Sequence, residues 1–255
     1  MTEVKTIKWK DDNIVLSIDY PKEKYNDYKT VIICHGLIGS RIGVDRLFVK
    51  TSNLLTAKGY LVIRFDYKGC GESSGEYGRN RLSDLIEQTE AIIQFVYAEL
   101  SIKELILLGH SLGGAVALFT AINDSRVSRL IQWAAVGKPD FDIRRIFGTE
   151  RLSELAEKEV VDFNGYSFYQ TYFESLADFH PLEVADIFSG DVLLAHGSAD
   201  QDIPCYYMDE YKNKYLKREK GTVETLLIEN GKHTFSSTSQ FHPLINGTIH
   251  WLESK

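Results

Sequence analysis

The chain has 255 residues, of which 44% are hydrophobic and 25% are charged. This composition is typical of a globular protein with a sizeable core and excludes a largely disordered chain. The 36 acidic residues outnumber the 29 basic ones and give a net charge of −7. No run of Lys or Arg exceeds two residues, so we do not expect a nucleic-acid partner.

The sequence also argues against export and membrane insertion. The first ten residues lack the uninterrupted apolar segment of a signal peptide, and no stretch approaches the roughly 18 apolar residues of a membrane span. Cys34, Cys70 and Cys205 are too few and too scattered for a disulfide framework or a zinc site. We therefore expect a cytoplasmic protein that does not bind a membrane.

Short apolar runs rich in β-formers alternate with turn signals along the chain. The runs 4–10 and 13–20 flank Asp11–Asn13 and predict a β-hairpin. Several later runs have the continuous apolar character of strands buried on both faces. These runs predict strands at 31–34, 60–65, 104–108, 127–136, 192–195 and 223–228.

Helical patterns lie between these strands. From Leu82 to Leu100, apolar residues recur at helical spacing and form one stripe. Strands that alternate with helices imply parallel βαβ units, so the predicted fold class is α/β, with a mostly parallel sheet flanked by helices. Further helices are predicted at 44–58, 112–123, 205–217 and 242–253.

Residues 137–185 interrupt the alternation with helical pieces and no clear core strand. Nine of these 49 residues are Phe or Tyr. We interpret the segment as a cap over the carboxyl ends of the strands, where open α/β sheets bind ligands. Residues 1–136 and 186–255 then form the core. The aromatic residues either pack the cap onto the core or line a pocket, and the sequence leaves both alternatives open.

Two segments match the G-x-S-x-G pattern of a nucleophile elbow. Ser111, in Gly109–Gly113, follows the predicted strand 104–108 and opens a predicted helix, and its glycine neighbours suit a sharp turn. Ser73, in Gly71–Gly75, has no strand before it and no apolar helix after it. The context predicts that Ser111 is a nucleophile and that Ser73 is a loop serine.

A serine nucleophile needs a base that is oriented by a carboxylate, and after an elbow of this kind the acid and then the base follow in the chain. Asp200 lies in the loop after a late predicted strand; Asp202 is the alternative, although it could simply cap the next helix. His233 directly follows the last predicted strand, whereas His242 and His250 lie in the terminal helix. We predict Asp200 as the acid and His233 as the base.

Acyl transfer also needs hydrogen-bond donors for the oxyanion. One predicted donor is the backbone N–H of Leu112, next to the nucleophile, and the other is the N–H of Leu37, after the third strand. Gly36 permits the close backbone approach this requires. The glycine-containing segment from residue 69 has Ser74 where a dinucleotide-binding loop needs glycine, so no nucleotide cofactor is expected.

With these residues, the chain resembles the α/β-hydrolase superfamily of serine esterases over nearly its whole length. Asp66–Ser73 is similar to the family's Asp-x-Arg-Gly-x-Gly-x-Ser turn, with Lys68 in place of Arg, and His196–Pro204 is similar to its acid loop. The resemblance implies an eight-stranded, mostly parallel sheet with an inserted cap.

The size and layout look most like the capped carboxylesterases, including the cinnamoyl (feruloyl) esterases. In those enzymes, polar cap residues bind the phenolic end of the substrate. The corresponding candidates in this chain are Asp140, Asp142, Tyr166, Tyr169 and Tyr172.

The predicted function is hydrolysis of a small-molecule carboxylic ester through an acyl-enzyme, without metal or organic cofactor. A thioesterase, an acyltransferase or a small peptidase would use the same residues, and a non-catalytic binding protein on the same fold is a further alternative. The sequence leaves the oligomeric state open, with a homodimer among the alternatives.

Overall fold

A computed structural model describes residues 1–255. The strands are β1 (Thr2–Trp9), β2 (Asp12–Asp19), β3 (Tyr28–Cys34), β4 (Leu61–Phe65), β5 (Ile102–His110), β6 (Val127–Trp133), β7 (Val160–Phe163), β8 (Tyr166–Tyr169), β9 (Asp191–Gly197) and β10 (Val223–Ile228). The helices are α1 (Leu47–Ala57), α2 (Leu82–Glu99), α3 (Leu112–Asn123), α4 (Pro139–Phe147), α5 (Thr149–Glu157), α6 (Gln170–Leu176), α7 (Pro181–Val184), α8 (Tyr207–Tyr215) and α9 (Thr238–Glu253).

Eight of the strands form one sheet in the order β1-β2-β4-β3-β5-β6-β9-β10. Only β2 runs against the others, because it is antiparallel to both of its neighbours and every other pair is parallel. The carboxyl ends of β3, β5, β9 and β10 therefore meet at one edge of the sheet. The predicted fold class, a mostly parallel eight-stranded sheet flanked by helices, is confirmed.

Alternate side chains of the central strands enter two layers of the core. In β3, Ile32 belongs to the larger layer, which includes residues of α2, α3 and α8. Its neighbours Val31 and Ile33 belong to the smaller layer, beneath α1 and α9. This double burial explains why the central strands read as continuous apolar runs.

The predicted strands all occur, with ends that differ by at most three residues. The predicted strand 127–136 ends at Trp133 because Ala134 takes a φ of 44°, which breaks the extended conformation. The last helix begins at Thr238 rather than at residue 242, so Pro243 lies inside the helix.

The segment 137–185 connects β6 to β9 and contains α4 to α7 and a hairpin formed by β7 and β8. The hairpin was not predicted, although its Asn164–Gly165 turn, with φ of 53° and 80°, is a strong hairpin signal. Phe147, Phe168 and Tyr172 are fully buried and belong to the same core layer as α2. No helix in the structure is both long and apolar enough to span a bilayer.

Candidate active site

Ser111 lies at the sharp turn between β5 and α3. Its φ of 58° and ψ of −126° are unusual for a residue with a side chain, and its backbone is held by hydrogen bonds in both directions. The Ser111 N–H donates to the Trp133 carbonyl at 2.9 Å, and the Ser111 carbonyl accepts the N–H of Gly114 at 2.9 Å and that of Val136 at 3.1 Å. This is the strained strand–turn–helix geometry of a nucleophile elbow.

The glycines around Ser111 allow the turn to pack against its neighbours. A Cβ atom on Gly113 would lie 2.2 Å from the Cys34 carbonyl oxygen, and one on Gly109 would lie 2.2 Å from the Gly113 carbonyl oxygen. A Cβ on Gly36, in the loop after β3, would lie 2.9 Å from the Ser111 Cβ and 3.3 Å from its Oγ. A side chain at Gly36 or Gly113 would separate the elbow from the loop after β3, and one at Gly109 would force the elbow turn itself apart.

Asp200 and His233 are joined by a hydrogen bond. His233 Nδ1 lies 2.8 Å from Asp200 Oδ2, and the Asp200 side chain is fully buried, whereas 13% of the His233 side chain is exposed. The other Asp200 oxygen, Oδ1, accepts the backbone N–H groups of Asp202 and Ile203, each at 2.9 Å. Because the carboxylate fixes the proton on Nδ1, His233 Nε2 is left free to act as a base.

The loops that carry this pair are bonded to each other. The Ala199 N–H donates to the Gly231 carbonyl at 2.9 Å, and the Asn230 N–H donates to Ser198 Oγ at 2.8 Å. A Cβ on Gly197 would lie 2.2 Å from the Gly231 carbonyl oxygen, so only glycine permits this approach. The ends of β9 and β10 therefore hold Asp200 and His233 at a fixed separation.

The side chains of the alternatives make no hydrogen bond to Asp200 or His233. Asp202 has an exposed side chain, and its N–H donates to Asp200. His242 and His250 are exposed on α9. The ligand atoms of Asp200, Asp202 and His233 lie within 4.8 Å of one another. Since hydrogen-bond donors already occupy both Asp200 oxygens, the geometry favours an acid–base pair over a metal centre.

Two further histidines, which the sequence reasoning missed, contact the pair. His196 Nε2 lies 3.2 Å from Asp200 Oδ2. His110, the residue before Ser111, donates from Nε2 to the His233 carbonyl at 2.8 Å, and the centroids of the two rings lie 4.9 Å apart. Their positions inside the elbow and acid-loop motifs are the only sequence signal that could have identified them.

Burial and hydrogen bonding set the charges of these groups. Burial alone would raise the pKa of Asp200, but hydrogen bonds from His196 and His233 hold it well below its usual range. Burial, together with the neighbouring His233, lowers the pKa of His110 to about 3. Burial also lowers the pKa of His35 to about 4. Asp200 is therefore ionised at neutral pH, while His35 and His110 are neutral.

His35 orients the loop that contains the predicted oxyanion donor. Its Nε2 accepts the Tyr67 N–H at 3.1 Å, so its Nδ1 carries the proton and donates to the Gly36 carbonyl at 2.8 Å. The Gly36 carbonyl and the Leu37 N–H belong to one trans peptide and point in opposite directions. The Leu37 N–H donates to no protein acceptor, and the Leu112 N–H, at the first position of α3, has no acceptor within its helix.

Ser111 and His233 line one cavity of about 320 Å³. Leu37 lines the same cavity. The Ser111 Oγ makes no hydrogen bond to a protein group. Most of the remaining cavity wall is apolar, with polar groups at Asn164, Asp202 and Thr234; its apolar side chains are Ile38, Val44, Phe48, Ile146 and Phe163.

The second serine motif is structural. Ser73 Oγ accepts the Val15 N–H at 2.8 Å and donates to the Asp66 carbonyl at 2.7 Å. It thereby ties the turn after β4 to β2, and it does not line the cavity. Lys68, which stands where the family has Arg, pairs with Asp12 at 2.8 Å.

The structure does not bring the cap candidates to this cavity. Tyr172 is fully buried among aromatic rings, Tyr169 donates to Glu76 at 2.7 Å, and Tyr166 packs edge-on against Tyr77.

The two candidate aspartates of the cap also have other partners. Asp140 pairs with Arg144 at 2.6 Å on the surface of α4. Asp142 is buried and accepts hydrogen bonds from the Lys138 N–H and the Tyr207 hydroxyl, and burial raises its pKa. The cap residues that do line the cavity are Ile146, Phe163 and Asn164, because α4 and the hairpin turn lie closest to Ser111.

Comparisons with known proteins agree with the fold described above. The family model described as Hydrolase_4, serine aminopeptidase S33, matches residues 26–170, more than half of the chain. An uncharacterized 31.7 kDa protein from the traX-finO intergenic region of Escherichia coli is 31% identical over 160 residues, which are 58% of this chain and 54% of that protein. The chain thus spans about half of the length of this relative.

The chain is also similar to a named lipase and to a structure with a bound aromatic acid. The lysophosphatidylserine lipase ABHD12 of Danio rerio is 33% identical over 99 residues, which are 38% of this chain and 24% of that protein. The structure of Est1E from Butyrivibrio proteoclasticus with ferulic acid bound has a TM-score of 0.83 at 18% identity, covering 98% of this chain and 100% of that one. At this identity the likeness concerns the fold. From the family match over residues 26–170, the chain belongs to the Hydrolase_4 (serine aminopeptidase S33) family of α/β hydrolases.

Proposed function

We propose that this chain is a serine esterase in which Ser111, Asp200 and His233 form the catalytic triad. The observation that carries the proposal is the 2.8 Å hydrogen bond between His233 and the buried Asp200, beside an elbow serine that lines the same cavity as His233. A neutral imidazole held by a carboxylate is the base that a serine requires for attack near neutral pH.

The reaction proceeds through an acyl-enzyme. Ser111 Oγ attacks the ester carbonyl carbon while its proton passes to His233 Nε2. The N–H groups of Leu37 and Leu112 stabilise the tetrahedral oxyanion, a contribution of about 10²–10³ in rate for each donor in related machinery. The C–O bond then breaks and His233 protonates the leaving alcohol. Water repeats the sequence on the acyl-enzyme and releases the acid.

The cavity supports a compact, partly aromatic acyl group. A volume of about 320 Å³ lies at the small end of ligand sites, and the walls are mainly apolar. Phe163 offers an aromatic face, and Asn164 and Asp202 offer hydrogen-bonding groups to a ring hydroxyl. Est1E, whose fold is similar, binds ferulic acid. We therefore propose hydroxycinnamate esters as the preferred substrates.

A substrate panel tests this specificity. We expect kcat/KM to be highest for methyl ferulate, lower for methyl cinnamate and lowest for long p-nitrophenyl alkanoates, because a site built for a ring hydroxyl loses a hydrogen bond when the hydroxyl is absent. An optimum on medium or long alkanoates, with methyl ferulate unhydrolysed, would exclude the hydroxycinnamate proposal and leave a general carboxylesterase. Thioesters in the same panel separate esterase from thioesterase activity.

A second candidate is an aminopeptidase. The exposed Asp202 lines the cavity and could bind the α-amino group of a substrate, and the matching family model carries this name. Amino-acid p-nitroanilides distinguish the two functions. If they are cleaved faster than the corresponding esters, and if Asp202→Asn abolishes this preference, the peptidase function is the correct one.

The identity of the nucleophile is tested with an activity-based phosphonate probe. We expect the probe to label Ser111, and Ser111→Ala to lower kcat/KM by about 10⁴-fold or more, because the members of a triad act as a unit. Ser73→Ala is the matched control from the second motif. It should keep kcat/KM within about threefold and lower the free energy of unfolding by about 1–3 kcal/mol, because the buried Val15 N–H loses its acceptor. Inactivation by Ser73→Ala alone would contradict the assignment.

A further inference from the structure

His196, near the end of β9, makes a contact that the mechanism above does not use. Its side chain is 2% exposed, and its Nε2 lies 3.2 Å from Asp200 Oδ2 and 3.1 Å from the Ile203 carbonyl oxygen. An ionised carboxylate and a carbonyl are both acceptors, so Nε2 must carry a proton. This proton bonds to the Ile203 carbonyl, and the same Nε2 lies 3.2 Å from the carboxylate oxygen that receives the proton of His233 Nδ1.

Each oxygen of Asp200 has two N–H groups beside it. Oδ1 accepts the N–H groups of Asp202 and Ile203, which belong to the acid loop itself, whereas Oδ2 accepts the N–H of His233 and lies 3.2 Å from Nε2 of His196. His196 is the only one of these groups that comes from a strand of the central sheet. It thus connects the carboxylate to the rigid part of the molecule and opposes rotation of Oδ2 away from His233.

The contact between His196 Nε2 and Asp200 Oδ2 also has an electrostatic effect. A donor at Oδ2 withdraws negative charge from the oxygen that faces His233, so the carboxylate stabilises a protonated His233 less strongly. The other titratable groups around the pair are His110, whose ring is 4.9 Å from that of His233, Asp202 at the cavity wall, and Cys205, which follows the acid loop. None of these three hydrogen-bonds to Asp200 through its side chain.

We propose that His196 is a positioning residue for the triad: its Nε2–H holds Asp200 Oδ2 against His233 and reduces the charge of that oxygen. The inference rests on the proposed esterase function. A purely structural role, in which His196 only satisfies the Ile203 carbonyl, predicts a loss of stability without a change in the pH dependence of the reaction.

The test compares His196→Gln, which keeps an N–H donor at similar reach, with His196→Met, which has a similar length and no donor. For hydrolysis of p-nitrophenyl acetate, we expect His196→Met to lower kcat by about 10- to 100-fold, as misplacement of a catalytic group does, with little change in KM. The acid limb of its kcat/KM profile should move to higher pH by up to about one unit, because the freed carboxylate oxygen stabilises the protonated base. His196→Gln should recover most of kcat and return the acid limb of the kcat/KM profile to its original pH.

The control is His250→Met, at an exposed position on α9, which should leave both readouts unchanged. Normal kcat in His196→Met, or equal losses in the Met and Gln variants with an unmoved acid limb, would overturn the proposal. If His196→Met does not fold, His196→Asn, whose amide is too short to reach Oδ2, decides by the same criteria. Ser111→Ala is measured in parallel: if it stays active, the esterase proposal fails, whatever the His196 variants do.

Discussion

Asp200 shows how a single buried carboxylate can stay charged inside this protein. Desolvation favours its neutral form, but the N–H groups around its two oxygens outweigh that cost and keep its pKa low. The ionised state is therefore lost only in strongly acidic solution. Within the range in which most enzymes are assayed, Asp200 contributes a constant negative charge next to His233.

This charge distribution makes the pH dependence simple. His35 and His110 remain neutral well below neutral pH, since burial lowers their pKa values to about 4 and about 3. The proposed mechanism needs one unprotonated base, and neither His35 nor His110 changes charge near neutral pH, so the acid limb of kcat/KM should follow a single ionisation. Measurement of kcat/KM for p-nitrophenyl acetate between about pH 5 and about pH 9 checks this expectation. A slope that requires two protons would show that a second histidine titrates with the base.

The candidate site lies on the loops after β3, β5, β9 and β10, and much of it could be predicted from the sequence for that reason. The strands were predictable because burial on both faces makes them continuous apolar runs, and their ends place Ser111, Asp200 and His233 at one edge. The cap lining was not predictable, because it depends on which turn of the insertion reaches Ser111, some 50 positions earlier in the chain. The contacts of His196 with Asp200 and Ile203 are close in sequence, but they depend on the conformation of the acid loop. From the sequence alone, the tyrosines of the cap could either pack against the core or line the substrate pocket. Only the tertiary structure distinguishes these two roles.

The β7–β8 hairpin carries the next prediction. Its turn places Phe163 and Asn164 in the wall of the Ser111 cavity. We expect Phe163→Ala to reduce the preference for aromatic over short aliphatic acyl groups by about 10-fold or more, the discrimination that apolar pocket contacts usually provide. The measurement is the ratio of kcat/KM for methyl cinnamate to that for p-nitrophenyl acetate. Tyr169→Phe, in the same hairpin but outside the cavity, should leave the ratio unchanged, whereas an unchanged ratio in Phe163→Ala would show that the hairpin does not contact the acyl group.

At the scale of the whole molecule, the inserted segment and the sheet share one hydrophobic core. Phe168 contacts Phe147 at 4.7 Å between ring centroids and Tyr77, in the turn region after β4, at 5.9 Å. The segment is also bonded to the acid-loop region through Tyr207 and Asp142, and through Arg145, which donates to the carbonyls of Gln201 and Asp202. These contacts suggest that the cap is part of the folded unit and not an independently stable lid.

We therefore predict that cap and core unfold together. All three tryptophans lie outside 137–185, so their fluorescence reports on the core, and Phe141→Trp, at a 59% exposed position of α4, adds a reporter in the cap. The two signals should give the same denaturant midpoint, because a shared core makes unfolding cooperative.

Phe168→Ala should lower the free energy of unfolding by about 3–5 kcal/mol and shift both signals together. Tyr172→Phe is the matched control: its buried hydroxyl has no hydrogen-bond partner, so its removal should leave stability unchanged or slightly increased. A cap signal that is lost at lower denaturant than the core signal would show instead that the cap opens as a separate unit.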